Sequence, residues 1–161
     1  MTLNRKQLQQ FSVRTGVIAA VTAAGLVGLA GPSTAIPHED GMRFTPTLTR
    51  LIPTSCSAII DAITVREAQP GTFGVRVNIT QTGEGCSKWK VAVRWKNLDT
   101  GRENGQQHIV DEHGVIQATD GVISGFGMGP GVGRVEARIV TLDERDRELP
   151  QLSGTATFSL N

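Results

Sequence analysis

The sequence predicts an all-β protein, and three observations support this fold class. Residues 73–80, 89–96 and 134–142 alternate apolar and polar side chains with a period of two, as half-buried strands do. Short apolar segments recur at intervals of about 8 to 20 residues, separated by glycine-rich turn sequences. No segment has the 3.6-residue period of a convincing amphipathic helix. We therefore expect one domain of antiparallel strands.

The first 35 residues have the parts of a secretory signal peptide. Three basic residues precede an uncharged apolar run at 16–30, and Ser33 and Ala35 supply the small residues at −3 and −1. We expect cleavage after Ala35 and secretion into the extracellular medium. The alternative is an uncleaved membrane anchor, because the uncharged span 15–37 is long enough to cross a bilayer.

Length and charge limit the class of the remaining chain. Removal of residues 1–35 leaves 126 of the 161 residues, which is one ordinary domain. The leader carries three of the 16 basic residues and none of the 15 acidic ones, so the net charge falls from +1 to −2. A nearly neutral chain has no overall preference for nucleic acid or anionic membranes, and we expect neither as a partner after cleavage.

Residues 36–54 contain three prolines and no clear period, which predicts an extended N-terminal lead-in to a β-domain over residues 55–161. Its first segment, 57–67, is mixed. The isoleucines there would suit a short helix, whereas Thr64, Val65 and the neighbouring Cys56 favour a strand. The next segment, 72–80, alternates regularly and predicts a half-buried strand.

The clearest strand lies at residues 88–97. Trp89, Val91, Val93 and Trp95 share one face, and basic residues dominate the other. Each of the sequences Asp-Thr-Gly at 99–101 and Asn-Gly at 104–105 has the chemistry of a turn, and we expect turns at both places.

The rest of the chain predicts several short strands and two longer ones. Apolar pairs at 109–110, 115–116 and 122–123 are separated by tight-turn sequences. The strand at 133–143 has apolar residues on both faces toward its end, where Val140 and Leu142 lie opposite Ile139 and Thr141. Such a strand is central in its sheet, or its outer end is covered. Alternation at 154–161 predicts the last strand.

With about seven antiparallel strands in this order, the chain resembles an immunoglobulin-like or fibronectin type III-like β-sandwich. The resemblance depends on the strand with Trp89 and Trp95 and on the closing strands at 133–143 and 154–161. It implies two sheets packed face to face, and it implies no particular function. Both cysteines lie before the tryptophan strand, so the core bridge of antibody domains is absent.

The two cysteines, Cys56 and Cys86, are expected to form a structural disulfide. An exported chain meets oxidising conditions, and an even number of cysteines is most simply paired. The bridge would close a loop of about 30 residues, for which the chain-entropy estimate is on the order of 3.6 kcal/mol.

Several side-chain groups have the raw material of a catalytic or metal site. The cluster His108, Asp111, Glu112 and His113 contains metal-ligating types, but its spacing puts the histidines on opposite faces of a strand. Its composition favours a solvated turn. The acidic hairpin at 143–150 alternates carboxylates with arginines and lacks the calcium-loop spacing. We expect no catalytic residue, metal or cofactor; His38 is the remaining candidate base.

Glycine occupies every second position from 125 to 133. A phosphate-binding loop would have to lead into a helix, whereas a strand follows here. One interpretation is a flexible crossover between sheets. The other is a surface where the missing side chains let Phe126, Met128 and Val132 contact a partner or the body of the domain.

The feature that most favours a ligand is a basic stripe formed by Lys88, Lys90, Arg94 and Lys96 on one strand face. An anionic polymer could lie along it. Alternatively, acids on a neighbouring strand, such as Glu136, pair with these residues and the charges only keep the sheet soluble. No aromatic residue lies among them, which argues against single-stranded nucleic acid.

These observations predict an exported, non-catalytic binding or interaction module of the bacterial cell envelope or medium. Its expected partner is an anionic envelope polymer or another protein. The alternative is a secreted enzyme or enzyme inhibitor acting through surface loops. If the stripe does not carry binding, the next candidate surface is the loop end formed by residues 81–85 and 143–150.

Overall fold

The computed structural model describes residues 41–52 and 54–161, and nine β-strands lie in this part of the chain. Their bounds are β1 Thr47–Arg50, β2 Ser57–Arg66, β3 Phe73–Thr82, β4 Trp89–Asn97, β5 Glu103–Val110, β6 Val122–Ile123, β7 Gly133–Leu142, β8 Gln151–Leu152 and β9 Thr155–Leu160. Two short 3-10 turns, Thr119–Gly121 and Phe126–Met128, are the helical elements among these residues.

The strands form two antiparallel sheets. One has five strands in the order β6-β3-β2-β1-β8, and the other has four in the order β5-β4-β7-β9. Successive long strands pair through hairpins, β2 with β3 and β4 with β5. The prediction of an all-β protein is confirmed, and the mixed segment after Cys56 is a strand rather than a helix.

One hydrophobic core contains side chains from both sheets. Ile60 and Val75 belong to the five-stranded sheet, and Val93 and Ile139 belong to the four-stranded sheet. All four are completely buried. The period of two in the sequence therefore identified the inward faces correctly, because alternate residues of a strand point to opposite sides.

Both tryptophans of β4 are buried in this core, with 2 % and 4 % of their surface exposed. The indole N–H of Trp89 donates to the Gln81 side-chain oxygen at 2.6 Å, and that of Trp95 donates to the Gly127 carbonyl at 2.6 Å. Each ring thus satisfies its polar group while burying a large apolar area. β4 lies between β5 and β7, as expected for a central strand.

The segment expected to be an extended lead-in contains a strand. β1 pairs with β2 on one side and with β8 on the other. Before it, the Phe44 N–H bonds to the Ala62 carbonyl, and the Phe44 side chain is buried. The all-β part of the chain therefore includes residues within 36–54.

The turn expected at Asn104-Gly105 is wrong, because both residues lie inside β5. The reversal occurs earlier, where the Asn97 N–H bonds to Arg102 and the Gly101 N–H bonds to Asn97. Gly105 instead lies where β5 comes very close to β4. A Cβ there would collide with the Val93 carbonyl, so glycine permits the close approach of β4 and β5.

The end of β7 that has apolar residues on both faces is central in its sheet, and its outer side is covered. β7 lies between β4 and β9, and Val140 and Leu142 form a small buried cluster with Ala92 on the outer side of the four-stranded sheet. The hairpin at 143–150 reaches over this cluster, because Asp146 bonds to Lys90 of β4. These three side chains of the outer face are thereby removed from solvent.

The proposed signal peptide and His38 lie outside the described residues. A helix with the length and apolarity needed to span a membrane is absent from residues 41–52 and 54–161.

Candidate binding surface

Beyond this buried cluster, the outer face of the four-stranded sheet carries a compact group of charges. We call it the charged face; its residues are Arg94, Lys96, Glu103, Glu136 and Arg138. All five are exposed. They line a shallow depression of about 440 Å³. Three paired strands, β4, β5 and β7, supply every one of these side chains.

Strand register places the charges of this face in two rows. In the first, Lys96 of β4 lies between Glu103 of β5 and Glu136 of β7. Directly opposed residues in an antiparallel sheet have Cβ atoms about 4.5–5.5 Å apart, close enough for opposite charges to attract. The Glu136 that the sequence suggested as an internal partner therefore faces one lysine of the basic stripe.

The second row has no such balance. Arg94 lies directly opposite Arg138, and its neighbour on the other side is Gly105, which has no side chain. Arg138 has an acidic partner, Glu148, at 3.7 Å. No carboxylate of the described residues lies within ion-pair distance of Arg94. Two arginines thus lie directly opposite each other on neighbouring strands, and a like-charge pair of this kind is unfavourable unless an anion joins them.

Lys90, the next member of the basic stripe, is neutralised inside the fold. Its ammonium lies 2.7 Å from an Asp146 carboxylate oxygen, which also accepts a 3.0 Å hydrogen bond from the Gln107 amide. The lysine bond, followed by the glutamine bond, holds the pKa of Asp146 below its ordinary value. Lys88 precedes the first residue of β4. The stripe is therefore divided, and Arg94 is its member that lies directly opposite another cation.

The acidic hairpin at 143–150 is stabilised by its own arginine. Asp143 accepts backbone hydrogen bonds from Arg145 and Arg147 at 2.9 Å and forms a 2.7 Å ion pair with the Arg147 guanidinium. The backbone bond from Arg147 is the largest cause of a lowered Asp143 pKa. These carboxylates therefore shape a turn and pair with nearby cations.

The cluster around His108 is divided between a strand and a turn. His108 lies in β5 with its Nδ1 atom 2.9 Å from the Gln117 carbonyl. Asp111 accepts hydrogen bonds from the backbone N–H groups of His113 and Val115, and the bond from Val115 is the largest cause of its lowered pKa. Asp111 thus closes a turn. Among the described residues, no three metal-ligating side chains come together.

The disulfide between Cys56 and Cys86 is present, as predicted. It joins the residue before β2 to the loop before β4, so it links the two sheets at one end, and Cys56 is fully buried. Both cysteines therefore have a structural role at the edge of the hydrophobic core, and neither has a free thiol.

Three residues in or near the charged face were not predicted from the sequence as part of this site. Arg138 and Glu103 are outward-facing on their strands, but only the register shows that they flank Arg94 and Lys96. Asp146 is 56 residues from Lys90 in the chain. Strand parity could have identified the first two as surface residues, whereas nothing local indicates which residues they face.

Comparisons with known proteins add no relative from which a role could be transferred. No protein-family model matches this chain, and no curated protein or solved structure matches it.

Proposed function

We propose that this protein is an exported, non-catalytic binding module whose ligand site is the charged face. The N-terminal leader, with its basic start, apolar run and small residues before Ile36, supports export. The disulfide supports the same conclusion, because such bonds persist mainly in oxidising compartments. The proposed ligand is an anionic group, phosphate or carboxylate, carried by a cell-envelope polymer.

The fold that we propose is an immunoglobulin-like or fibronectin type III-like sandwich. In such sandwiches strands A, B and E share a sheet and strands G, F and C share the other. The order β2-β3-β6 has the connectivity of A-B-E, and β9-β7-β4-β5 has that of G-F-C with one further strand after C. β1 and β8 would be additions beside strand A. Sandwiches of this type commonly serve as binding modules, although the fold alone carries no function.

The observation that carries the proposal is the opposition of Arg94 and Arg138. Guanidinium groups bind phosphate and carboxylate oxygens through paired N–H donors, and two adjacent guanidiniums can hold one anion between them. Gly105 on the other side of Arg94 adds no charge, and Glu103 and Glu136 limit the positive area to this one row. The face therefore fits a discrete anionic group better than a continuous polyanion along the whole strand.

The assignment as a non-catalytic module is supported by the bonds of the titratable groups. Asp111, Asp143 and Asp146 bind turn backbone or neighbouring cations, and His108 contacts a backbone carbonyl. Such groups have local structural partners rather than a common point where a substrate would react.

The test is a binding measurement with Arg94 and Arg138 both changed to Gln. The matched control changes Arg66 and Arg76, which are exposed on the five-stranded sheet, to Gln. Poly(glycerol phosphate) and a polyuronate serve as probes and distinguish phosphate from carboxylate. We expect the first variant to lose at least about tenfold in affinity for one probe and to become less sensitive to salt, since both charges are removed.

The control variant has the same net charge as the test variant, so unchanged binding by the control would assign the loss to the charged face. Changing Arg94 and Arg138 to Gln should leave the free energy of unfolding nearly unchanged. The one ion pair that is lost, Arg138–Glu148, is exposed, and such pairs contribute about 0–1 kcal/mol. Equal loss in both variants would indicate non-specific attraction. Full binding by the variant of Arg94 and Arg138 would remove this face from consideration.

Export is tested separately by the mass of the protein in the culture medium. Cleavage after Ala35 gives a chain that begins with Ile36 and is 35 residues shorter. A full-length chain retained in the membrane fraction would instead establish the anchor interpretation.

A further inference from the structure

The depression on the charged face is larger than a single anion requires. Its volume of about 440 Å³ lies within the range of small-molecule sites, which is about 300–1,000 Å³. The proposed function uses one side of this space, where Arg94 lies opposite Arg138. Lys96, Glu103 and Glu136 line the other side. A ligand that fills the depression therefore has a second part, which contacts these three residues.

The row that contains the two glutamates has a surplus of negative charge. The strand register places Lys96 between Glu103 and Glu136, so one lysine faces two carboxylates. Neither carboxylate forms an ion pair with a residue in the described part of the chain. Both side chains are exposed, so a ligand can contact them. Their charges attract a cation and repel a second anion.

The arginines that flank Glu136 along β7 have acidic partners of their own. Arg134 lies two residues before it and forms an ion pair with Asp99 at 3.4 Å. Arg138 lies two residues after it and has Glu148 at 3.7 Å. These pairs leave the carboxylate of Glu136 without a cation of its own on this strand. A cationic group of a ligand would supply the missing charge.

The two rows of charges are close enough for one small ligand to contact both. Arg94 and Lys96 are two residues apart on β4, as are Glu136 and Arg138 on β7. Residues at this spacing point to the same side of a strand and lie about 7 Å apart. A ligand whose anion and cation are joined by a short linker can therefore place the anion on the arginines and the cation on the glutamates.

The surroundings of the glutamates indicate which kind of cation fits. Quaternary ammonium groups are typically bound by the faces of aromatic rings. Of the described residues that line the depression, Trp95 is the aromatic one, and it is buried with 4 % of its surface exposed. An ammonium with N–H groups can instead donate charge-assisted hydrogen bonds to the oxygens of Glu103 and Glu136. The lining therefore favours a primary amine.

The row of arginines indicates which anion fits. Arg94 and Arg138 belong to neighbouring strands, so their side chains reach a ligand from two sides. A tetrahedral phosphate has oxygens that point in several directions, whereas the two oxygens of a carboxylate lie in one plane. Each guanidinium can therefore bind an oxygen of the same phosphate through its own N–H groups.

We propose that the charged face binds an amine-bearing phosphodiester, with the phosphate on Arg94 and Arg138 and the primary ammonium on Glu103 and Glu136. This inference rests on the proposed function, since it uses the same face and adds the second part of the ligand. A phosphodiester polymer with amine substituents has this chemistry, and so does an aminoethyl phosphate lipid headgroup. A plain polyanion lacks the cation, and its further charges would meet the glutamates.

The test compares two soluble phosphodiesters, glycerophosphoethanolamine and glycerophosphoglycerol, in titrations of the purified protein followed by nuclear magnetic resonance. At neutral pH the first carries an ammonium and has no net charge, whereas the second is an anion. Attraction to the arginines alone would favour the second. We expect the first to bind at least about threefold more tightly, which is the scale of one exposed ion pair. Glu103→Gln combined with Glu136→Gln should abolish this preference, and Arg94→Gln combined with Arg138→Gln should weaken the binding of both diesters.

The matched control changes Glu84 and Glu112 to Gln; both are exposed, and neither lines the depression. This control has the same net charge as the variant of Glu103 and Glu136, and it should keep the preference for the amine. Equal binding of the two diesters, no binding of either, or a preference that survives in the variant of Glu103 and Glu136 would overturn this inference. Arginine-dependent binding of poly(glycerol phosphate) would still support the proposed function in those cases, so the two can fail separately.

Two further ligands distinguish the possible sources of this chemistry. Poly(glycerol phosphate) esterified with alanine carries amines on a polymer, and vesicles of phosphatidylethanolamine in phosphatidylcholine carry them on a lipid headgroup. We expect the esterified polymer to bind more tightly than the unmodified polymer, and the difference should disappear when Glu103 and Glu136 are changed to Gln. Retention on the vesicles that depends on the same two glutamates would support the same chemistry with a lipid as its source.

Discussion

The two tryptophans of β4 allow a direct measurement of what a buried indole hydrogen bond contributes here. Trp89 and Trp95 lie on the same face of one strand and are buried to nearly the same extent. Their acceptors differ. The indole of Trp95 bonds to a backbone carbonyl in a buried contact, and that of Trp89 bonds to the Gln81 side chain in a partly buried one. Each replacement by Phe removes the N–H and leaves most of the ring volume.

The expected magnitudes follow from these surroundings. Loss of ring volume should cost similar amounts at the two positions, since both sites are in the same core. Trp95→Phe also leaves the Gly127 carbonyl buried without a donor, at an additional cost of about 1–3 kcal/mol. The Gln81 side chain can turn to water after Trp89→Phe, so that loss should be below about 1 kcal/mol. Trp95→Phe should therefore be the more destabilising by about 1–2 kcal/mol.

Urea unfolding of the two variants, followed by far-ultraviolet circular dichroism, measures this difference in the free energy of unfolding. The remaining tryptophan of each variant reports its own environment, and its emission should stay blue-shifted while the domain is folded. An equal loss of stability in both variants, or a larger loss for Trp89→Phe, would refute the reasoning. It would mean that ring packing, not the fixed carbonyl, sets the cost.

Other expected outcomes test the disulfide, the turn carboxylates and the glycine-rich loop at 124–132. Native protein should have no thiol that can be labelled, and replacing both cysteines with Ala should cost about 3.6 kcal/mol on the chain-entropy estimate, as unfolding in urea would measure. The pKa values of Asp143 and Asp146 are lowered, so their stabilisation exists above their ordinary value of 3.8 and should disappear as the pH falls from about 4 towards 2. A midpoint of thermal unfolding that stays constant over this range would contradict that assignment. Gly127→Ala should lower stability because its Cβ meets the Gly105 carbonyl, whereas Gly129→Ala, with only a 3.7 Å contact, should be tolerated.

Local features of the sequence were sufficient for the fold class and for the faces of the main strands. The alternation around Trp89 and Val135 identified buried and exposed sides correctly, because the period of a strand is a property of the backbone. The pairing of Cys56 with Cys86 followed from there being only two cysteines. The error at Gly105 has the same local origin. Asn-Gly favours a turn by itself, but the close approach of Val93 gives this glycine a place inside a strand.

The candidate surfaces depended on strand register, which no local pattern specifies. Arg138 lies opposite Arg94 across 44 positions of sequence, and Asp146 bonds to Lys90 across 56. Within the basic stripe, Lys90 is therefore ion-paired, Lys96 lies between two glutamates, and Arg94 lies opposite another arginine. The exposed apolar row of Leu152, Leu48 and Ile59 likewise needs β8, β1 and β2 side by side. The sequence alone determined which residues face outward, because that is a local alternation. Only the tertiary structure decided which of them are neighbours, because pairing between distant strands depends on the packing of the whole domain.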